Sequence, residues 1–471
     1  MEFINITIDS INLLLWNYIL IGALLFVGVY FSIRTGFVQI RYLGHSFSVL
    51  SSQKKEGKKH EGHVSSFQVL STSMASVVGV GSIAGMSIAI SMGGPGSIFW
   101  VWVISLLGMS TSLVEHTLGQ IYKRKTDDGM FVGGPAYYIW SGLKNKPLAY
   151  AFSAIVLIVY GIIFNSVQAN TIGSSFHHAF NIDTKITAIL LVVFTALVIY
   201  GGLRRIIQVS SILVPLMGGF YLIITLTVII LNVKELPSIF MLIIKSAFGI
   251  KEVATGVVAY GFLQGVIVGI KRALFSTEAG MGSTPNITAS AYVKHPVRQG
   301  LVGMLGVFFV AFIICTSTAI LVLSTDFYYN SDLQGIQIAQ ASLGEFLGGF
   351  SVYALSLTIF VFGFTSIIGN YSYAEHNLEF LKGNNFHKQI LRLVLLATVY
   401  FGTLASLSTV WNLADVFMGI MILVNLYAVV SLSNVAIKAI KHYKRELKEG
   451  KTPQFSQNVV PKLSKDEYNV W

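Results

Sequence analysis

Two glycine-rich segments interrupt long apolar stretches of this sequence, and both bear backbone chemistry. The first is Gly79-Val80-Gly81-Ser82-Ile83-Ala84-Gly85. The second runs Phe275-Ser276-Thr277-Glu278-Ala279-Gly280-Met281-Gly282-Ser283-Thr284-Pro285. Glycine weakens a helix, and proline removes a donor and clashes with the preceding turn. A helix broken in an apolar medium exposes N–H groups that hold a carboxylate. It also exposes C=O groups that hold a dehydrated cation such as Na⁺. Backbone of this kind is tolerated at membrane depth only where protein or a watery cavity satisfies it. Either cluster alone reads equally well as close packing of small residues between helices, so their places in the chain decide the reading.

The elements around them follow from composition. Of 471 residues, 54% are hydrophobic and 11% charged, against about 25% charged in a soluble domain. So little charge cannot cover a water-facing surface, which argues against a soluble enzyme, a disordered chain or a disulfide scaffold. The one cysteine, Cys315, sits in an apolar run and excludes an intrachain disulfide. Met1–Ser10 has no Lys or Arg and the first apolar run is long, which argues against a cleaved signal peptide. A span needs about 20 apolar residues. Eleven are legible, at 11–33, 64–92, 97–121, 149–176, 184–203, 206–232, 253–293 (interrupted), 300–324, 350–374, 388–408 and 411–437. The expected fold class is all-α, a polytopic membrane protein of about eleven transmembrane helices.

An odd number of spans puts the termini on opposite sides. Of the 32 Lys and Arg, 28 then fall on one side, and Lys185, Lys234, Lys245 and Lys251 on the other. That bias predicts an outside N-terminus and a cytoplasmic C-terminus in the cell membrane. The net charge of +11 is a topology signal and implies no nucleic-acid partner. One broken span opens a run of five helices and the other opens a second, oppositely directed run. This is the layout of an inverted repeat with its site at the two breaks. The expected divisions are 1–63 (first helix, interfacial helix, basic loop), 64–232 (first repeat), 233–437 (second repeat) and 438–471 (basic tail). Phe37–Leu50, Pro237–Phe248 and Asp332–Phe346 read as interfacial segments, and the tail from Lys438 as a solvated juxtamembrane end.

Gly79–Gly85 continues to Gly93-Gly94-Pro95-Gly96 and Phe99-Trp100-Val101-Trp102. Together with the run Lys271–Pro285, His295-Pro296-Val297-Arg298-Gln299-Gly300 and Gly133-Gly134-Pro135-Ala136-Tyr137-Tyr138, this resembles the alanine or glycine:cation symporter family over roughly residues 10–440. The resemblance implies a LeuT-like fold of five-plus-five inverted repeats with an extra N-terminal helix. It implies Na⁺-coupled uptake of alanine, glycine or glutamine by alternating access, with Na⁺ as coupling ion and no other cofactor.

By that resemblance the carboxylate of the amino acid meets backbone N–H groups at Val80, Gly81 and Ser82, where the family usually has Thr and Asn in place of Val80 and Ser82. Gln168 matches a family glutamine that reaches the substrate, and an amide both donates and accepts. Phe275, Ser276 and Thr277 wall the pocket beside the second break, where the motif usually has Asn in place of Thr277. Thr365 and Ser366, with the carbonyls of Ala75 and Val78, are expected to hold sodium, and Ser366 also borders the substrate. Oxygen ligands suit a hard cation. Asn370 stands where alanine-selective members often carry Trp, so a larger or amide-bearing substrate such as glutamine is a candidate. Glu278 lies in the break, where a carboxylate is expensive unless paired or hydrated. It is expected to orient the unwound backbone, pair with Lys271 or Arg272, or join ion coupling. Asn165 and Asn170 read as interhelical hydrogen-bonders. Glu115-His116 and Glu375-His376 read as interfacial ion-pairing groups near the inner ends of their spans.

A symporter competes here with two other classes. A channel needs a continuous polar path, which two closed breaks do not supply. An embedded enzyme needs clustered ionisable groups at depth, and Glu278 is the one such residue expected there. Coupling by H⁺ instead of Na⁺ is the alternative within the symporter class.

Overall fold

A computed structural model describes residues 2–56, 66–126, 131–249, 258–330, 332–460 and 470–471. Nearly all of it is helix. The described strands are one short antiparallel hairpin, Arg124–Lys125 against Phe131–Val132.

Among the described residues seven helices are long and apolar enough to cross a membrane, as in a multi-pass membrane protein. They are Thr7–Thr35, Ser97–Ile121, Lys146–Phe180, Gly202–Leu231, Pro296–Leu323, Gly349–Phe380 and Leu407–Ser431. An eighth is formed if Ser71–Val77 and Val80–Gly93, bent by 55° at their junction, count as one span. The other three expected spans fall on helices with a physical handicap. Thr184–Ile199 has 16 residues and reaches about 24 Å, short of a ~30 Å core. Val258–Thr277 runs straight into the second break. Asn385–Leu404 opens with His387, Lys388 and Arg392 in its first half.

The segments expected at the interface are helical too: Val38–Arg41 with Leu43–Glu56, Leu236–Ala247 and Ile336–Leu347. The basic tail differs from expectation. Ser433–Lys448 is an amphipathic helix that buries Ala436, Ile437, Ala439, Ile440 and Tyr443. Beyond it the chain returns to the body: Phe455 is buried and its N–H donates to Lys294 O at 3.0 Å. Trp471 Nε1 donates to Gln120 O at 3.0 Å. The reading of a freely solvated end missed the apolar stripe hidden between its lysines.

The two interruptions break their helices as glycine content requires. After Val77 the chain is extended at Gly79 (φ −113°, ψ −157°), makes one tight turn at Val80–Ser82, and restarts at Ala84. The second break has three residues in the left-handed region: Glu278 (φ 53°), Gly280 (φ 83°) and Gly282 (φ 78°). Two of the three are glycine, which adopts that region without penalty. Pro285 then starts the short helix Pro285–Thr288. In Lys146–Phe180 a wide π turn at Val159–Ile163 shifts the helical phase immediately before Phe164, Asn165 and Gln168. Such turns recur at functional sites.

Candidate functional site

The breaks meet. A Cβ added at Gly81 would lie 2.6 Å from Phe275 Cδ1 and 3.3 Å from Ser276 Oγ. Only glycine lets the unwound first helix approach the second this closely. The Phe275 ring is itself packed, with its centroid 4.6 Å from that of Phe164 and 4.6 Å from that of Trp411. The Arg272 guanidinium lies 4.2 Å over the Trp411 ring.

Around this contact the first break is held by side chains from other helices. Gln168 Oε1 accepts from Val80 N–H at 3.2 Å. Ser366 Oγ donates to Ala75 O at 2.8 Å, bringing the Gly349–Phe380 helix to the end of Ser66–Val77. A Cβ at Gly79 would touch both Ser366 Oγ and Gln168. Val78 is buried one residue past that helix, its N–H donating to Met74 O at 2.7 Å. Thr365 turns its hydroxyl to its own helix, at Phe362 O (3.0 Å). Thr277 does the same, at Ala273 O (2.8 Å). The hydroxyls of Ser82 and Ser276 are buried beside the contact, and both face the buried thiol of Cys315. Ser82 O accepts from Thr318 Oγ1 at 2.9 Å. So Val80, Gly81, Ser82, Gln168, Phe275, Ser276, Ala75 and Ser366 converge, while Thr365 and Thr277 point back into their helices.

Asn370 reaches the first broken helix at Ser76, the residue after Ala75. Its Oδ1 accepts from Ser76 Oγ at 2.6 Å and its Nδ2 donates to Asn165 Oδ1 at 2.9 Å. Ser76 Oγ also reaches Glu278 Oε1 at 3.1 Å, and Ser283 Oγ donates to Glu278 Oε2 at 2.5 Å. A continuous buried network therefore links Asn165, Asn370, Ser76, Glu278 and Ser283. Asn165 joins two helices, and Asn170 does too through Ala405 O at 2.6 Å.

Three charged-residue expectations are corrected. Glu278 does not pair with Lys271 or Arg272. Asp415 takes both, Lys271 Nζ at 3.3 Å and Arg272 Nη2 in a closer bond. Orienting the unwound backbone falls to Glu115. Its Oε1 accepts from Gly280 N–H (3.1 Å), and its Oε2 from Gly282 N–H (3.2 Å) and Asn425 Nδ2 (3.0 Å). Glu115 is fully buried, so the interfacial reading fails for it; His116 is buried beside it. Among the described residues Glu278 is thus one of four buried acids, with Glu115, Glu375 and Asp415. For Glu375 the ionic reading fits, with Arg392 Nη2 at 3.8 Å; His376 Nε2 bonds to Gly133 O at 2.8 Å.

Residues that sequence reasoning missed are Asp415, Asn425, Tyr138, Trp411 and Phe164. Asn425 Nδ2 also donates to Gly280 O at 2.9 Å, and Tyr138 donates its hydroxyl to Asn425 Oδ1. The available signal was a polar residue inside an apolar run, at Asp415 and Asn425. The aromatic residues carried none.

The model of the sodium:alanine symporter family matches residues 1–457. The chain is 42% identical over 466 residues to the amino-acid carrier protein AlsT of Bacillus subtilis (strain 168), covering 99% of this chain and 98% of that one. It is 41% identical over 449 residues to the probable sodium/glutamine symporter GlnT of the same organism, at 95% and 92% coverage. It is also 33% identical over 454 residues to the sodium/alanine symporter AgcS of Methanococcus maripaludis, at 94% and 98% coverage. Matched along nearly its whole length, and with both broken helices inside the matched region, the chain belongs to the sodium:alanine symporter family.

Proposed function

We propose that the protein is a Na⁺-coupled symporter that imports a small neutral amino acid (alanine, glycine or glutamine) by alternating access. The observation that carries this is the meeting of the two breaks at Gly81 and Phe275. Gln168 lies on the Val80 N–H there, and Ser366 on the Ala75 carbonyl. On this reading the ligand's carboxylate takes the N–H groups of Val80, Gly81 and Ser82 and displaces Gln168 Oε1. The freed amide then turns to the ligand. Phe275, Ser276 and Thr277 form the wall. Sodium lies among the carbonyls of Ala75 and Val78 and the hydroxyls of Thr365 and Ser366, a set of oxygens suited to a hard cation. Thr365 must rotate away from Phe362 O to join it.

The architecture that goes with this reading has eleven spans, with LeuT-like repeats at 64–232 and 233–437 between a segment 1–63 and a tail 438–471. The N-terminus is outside and the C-terminus cytoplasmic, as the basic-residue bias of 28 to 4 favours. Asn370, with Asn165, closes the pocket by a polar network in place of a bulky ring, which leaves room for glutamine. The names of two relatives, an alanine symporter and a probable glutamine symporter, are compatible with either substrate. Uptake into proteoliposomes across an amino-acid panel, with and without a Na⁺ gradient, tests the reading. Uptake indifferent to Na⁺ overturns it.

Coupling to H⁺ is a second reading, favoured by Glu278 and Glu115 lying buried on the second break. Uptake driven by a pH gradient in Na⁺-free vesicles, and abolished in Glu278→Gln, supports H⁺ coupling over Na⁺.

A further inference from the structure

The first membrane helix ends at Thr35, and Gly36 turns the chain in the left-handed region (φ 67°). The chain then lies back as Val38–Arg41 and Leu43–Glu56. Ser433–Lys448 is bonded to this corner along its length. Tyr30 Oη lies 3.3 Å from Ser433 Oγ, and Arg34 Nη2 donates to Asn434 Oδ1 at 2.9 Å. His45 Nε2 lies 2.9 Å from Tyr443 Oη, and Lys444 Nζ donates to Thr35 O at 2.5 Å. Between the two segments lies a cavity of about 390 Å³ lined by Arg41, Tyr42, Lys441, Lys444, Arg445 and Lys448.

Five of those six side chains are cations. Among the described residues, no carboxylate pairs with any of them. Lys444 is held at the back of the cavity by Thr35 O, with its Nζ 5.0 Å from the Tyr42 ring. Burial, then Arg41 and Lys448, hold its pKa below the usual lysine value. In the same corner of the chain, just before the lining residues Arg41 and Tyr42, Ile33, Phe37 and Ile40 are exposed by 62%, 45% and 63%. They sit where a membrane helix ends, so the cations are flanked by apolar side chains at the level of the bilayer interface.

We infer that this cavity binds the phosphate-bearing headgroup of an anionic phospholipid, whose acyl chains lie along Ile33, Phe37 and Ile40. Glu449 attracts Arg445 without forming an ion pair with it, but five cations facing one cavity repel each other, and an anion among them relieves that repulsion. Arg41 and Arg445 present planar forks that match phosphate oxygens, and the lysines add point charges. A general excess of basic residues attracts a membrane without building a concavity. Here the cluster is assembled from segments 409 positions apart, as the Lys444–Thr35 bond spans them. A small soluble phosphate satisfies the cations alone, whereas a lipid also covers the apolar flank.

The test is titration of the full-length, detergent-purified protein with phosphatidylglycerol, read by native mass spectrometry. Each cation facing an anionic headgroup contributes about fivefold in binding. K441Q/R445Q is therefore expected to weaken phosphatidylglycerol binding about 25-fold, and R41Q/K448Q to do the same. K144Q/K146Q removes equal charge elsewhere and is expected to leave it unchanged, as is phosphatidylcholine binding by every variant. The four pocket positions substituted are solvent-exposed, and unaltered melting curves confirm that the variants fold. Equal loss in the pocket variants and the control overturns the proposal, because it reduces the effect to net charge. Displacement of the lipid by equimolar inorganic phosphate also overturns it, because the ligand is then a free anion.

Discussion

Replacing Gly81 by alanine tests the joint between the two breaks with one methyl group. The added Cβ lies 2.6 Å from Phe275 Cδ1 and 2.9 Å from Cε1, where ordinary contact begins at 3.4 Å, so the ring must retreat by about 0.8 Å. Its aromatic neighbours oppose that shift. Phe164 and Trp411 each sit 4.6 Å from it, and Arg272 backs Trp411. Overpacking a well-filled site costs about 1–3 kcal/mol. If the ligand must be bound against that strain, affinity falls by about fivefold to 150-fold. The assay is alanine and glutamine uptake into proteoliposomes at a fixed Na⁺ gradient, with KM read for each. The same measurement on F275A and G81A/F275A closes a double-mutant cycle. The methyl penalty is expected to vanish once the ring is gone, so that G81A/F275A resembles F275A. A G81A protein with wild-type KM, or a penalty that persists without the ring, refutes the close approach as the working geometry.

Four further outcomes follow from the same contacts. Glu115→Ala strands three buried donors, Gly280 N–H, Gly282 N–H and Asn425 Nδ2. At about 1–3 kcal/mol each this lowers the melting temperature sharply, whereas Glu115→Gln keeps one acceptor and loses less. Ser366→Ala removes the hydroxyl on Ala75 O and is expected to raise the Na⁺ concentration for half-maximal uptake about tenfold; unchanged Na⁺ activation counts against the sodium assignment. Asn370→Trp is expected to abolish glutamine uptake while sparing glycine, and undiminished glutamine transport sinks the size argument. Burial, then His442 and Arg298, pushes the His295 pKa down to about 3, and His442 Nδ1 faces it at 3.3 Å. Because the folded value lies below the unfolded value of about 6.5, this group's contribution is complete above pH 6.5 and is lost as pH falls towards 3, by up to about 1.4 kcal/mol per pH unit. The melting temperature should fall over that window, and less steeply in His295→Gln.

Much of this was legible because membrane solvation simplifies the code. Long apolar runs became helices, and Gly79–Gly85 and Glu278–Pro285 became breaks, since nothing but glycine and proline chemistry interrupts a helix there. What the sequence hid were partners. Glu278 and Lys271 are seven positions apart, and on a helix that spacing suggests a pair. The unwound backbone turns Glu278 towards Ser76 and Ser283 instead, and Asp415 from a distant helix takes the cations. Glu115 and His116 looked interfacial because they lie near the end of an apolar run. Yet Pro285–Thr288 and Pro296–Leu323 close over that end and bury it. Aromatic residues such as Trp411 and Phe164 had no signal at all, because a ring in a span looks the same whether it faces lipid, core or ligand.

The two breaks are held in different ways, and the difference bears on how they work. At the second, a carboxylate and an amide from two other helices grip Gly280 and Gly282 on both N–H and C=O, and Tyr138 in turn holds that amide. Those contacts make the second break a preorganised joint. At the first, Val80 N–H is capped by the oxygen of a neutral amide, Gln168, a weaker acceptor than a carboxylate. On the proposed function, an incoming amino-acid carboxylate gains by exchange with Gln168 at the first break, whereas at the second the donors are already held by Glu115. On the same proposal, this exchange is the reason to place the anion end of the ligand at Val80–Ser82. On that reading, the glutamine-capped break is the element that ligand binding biases.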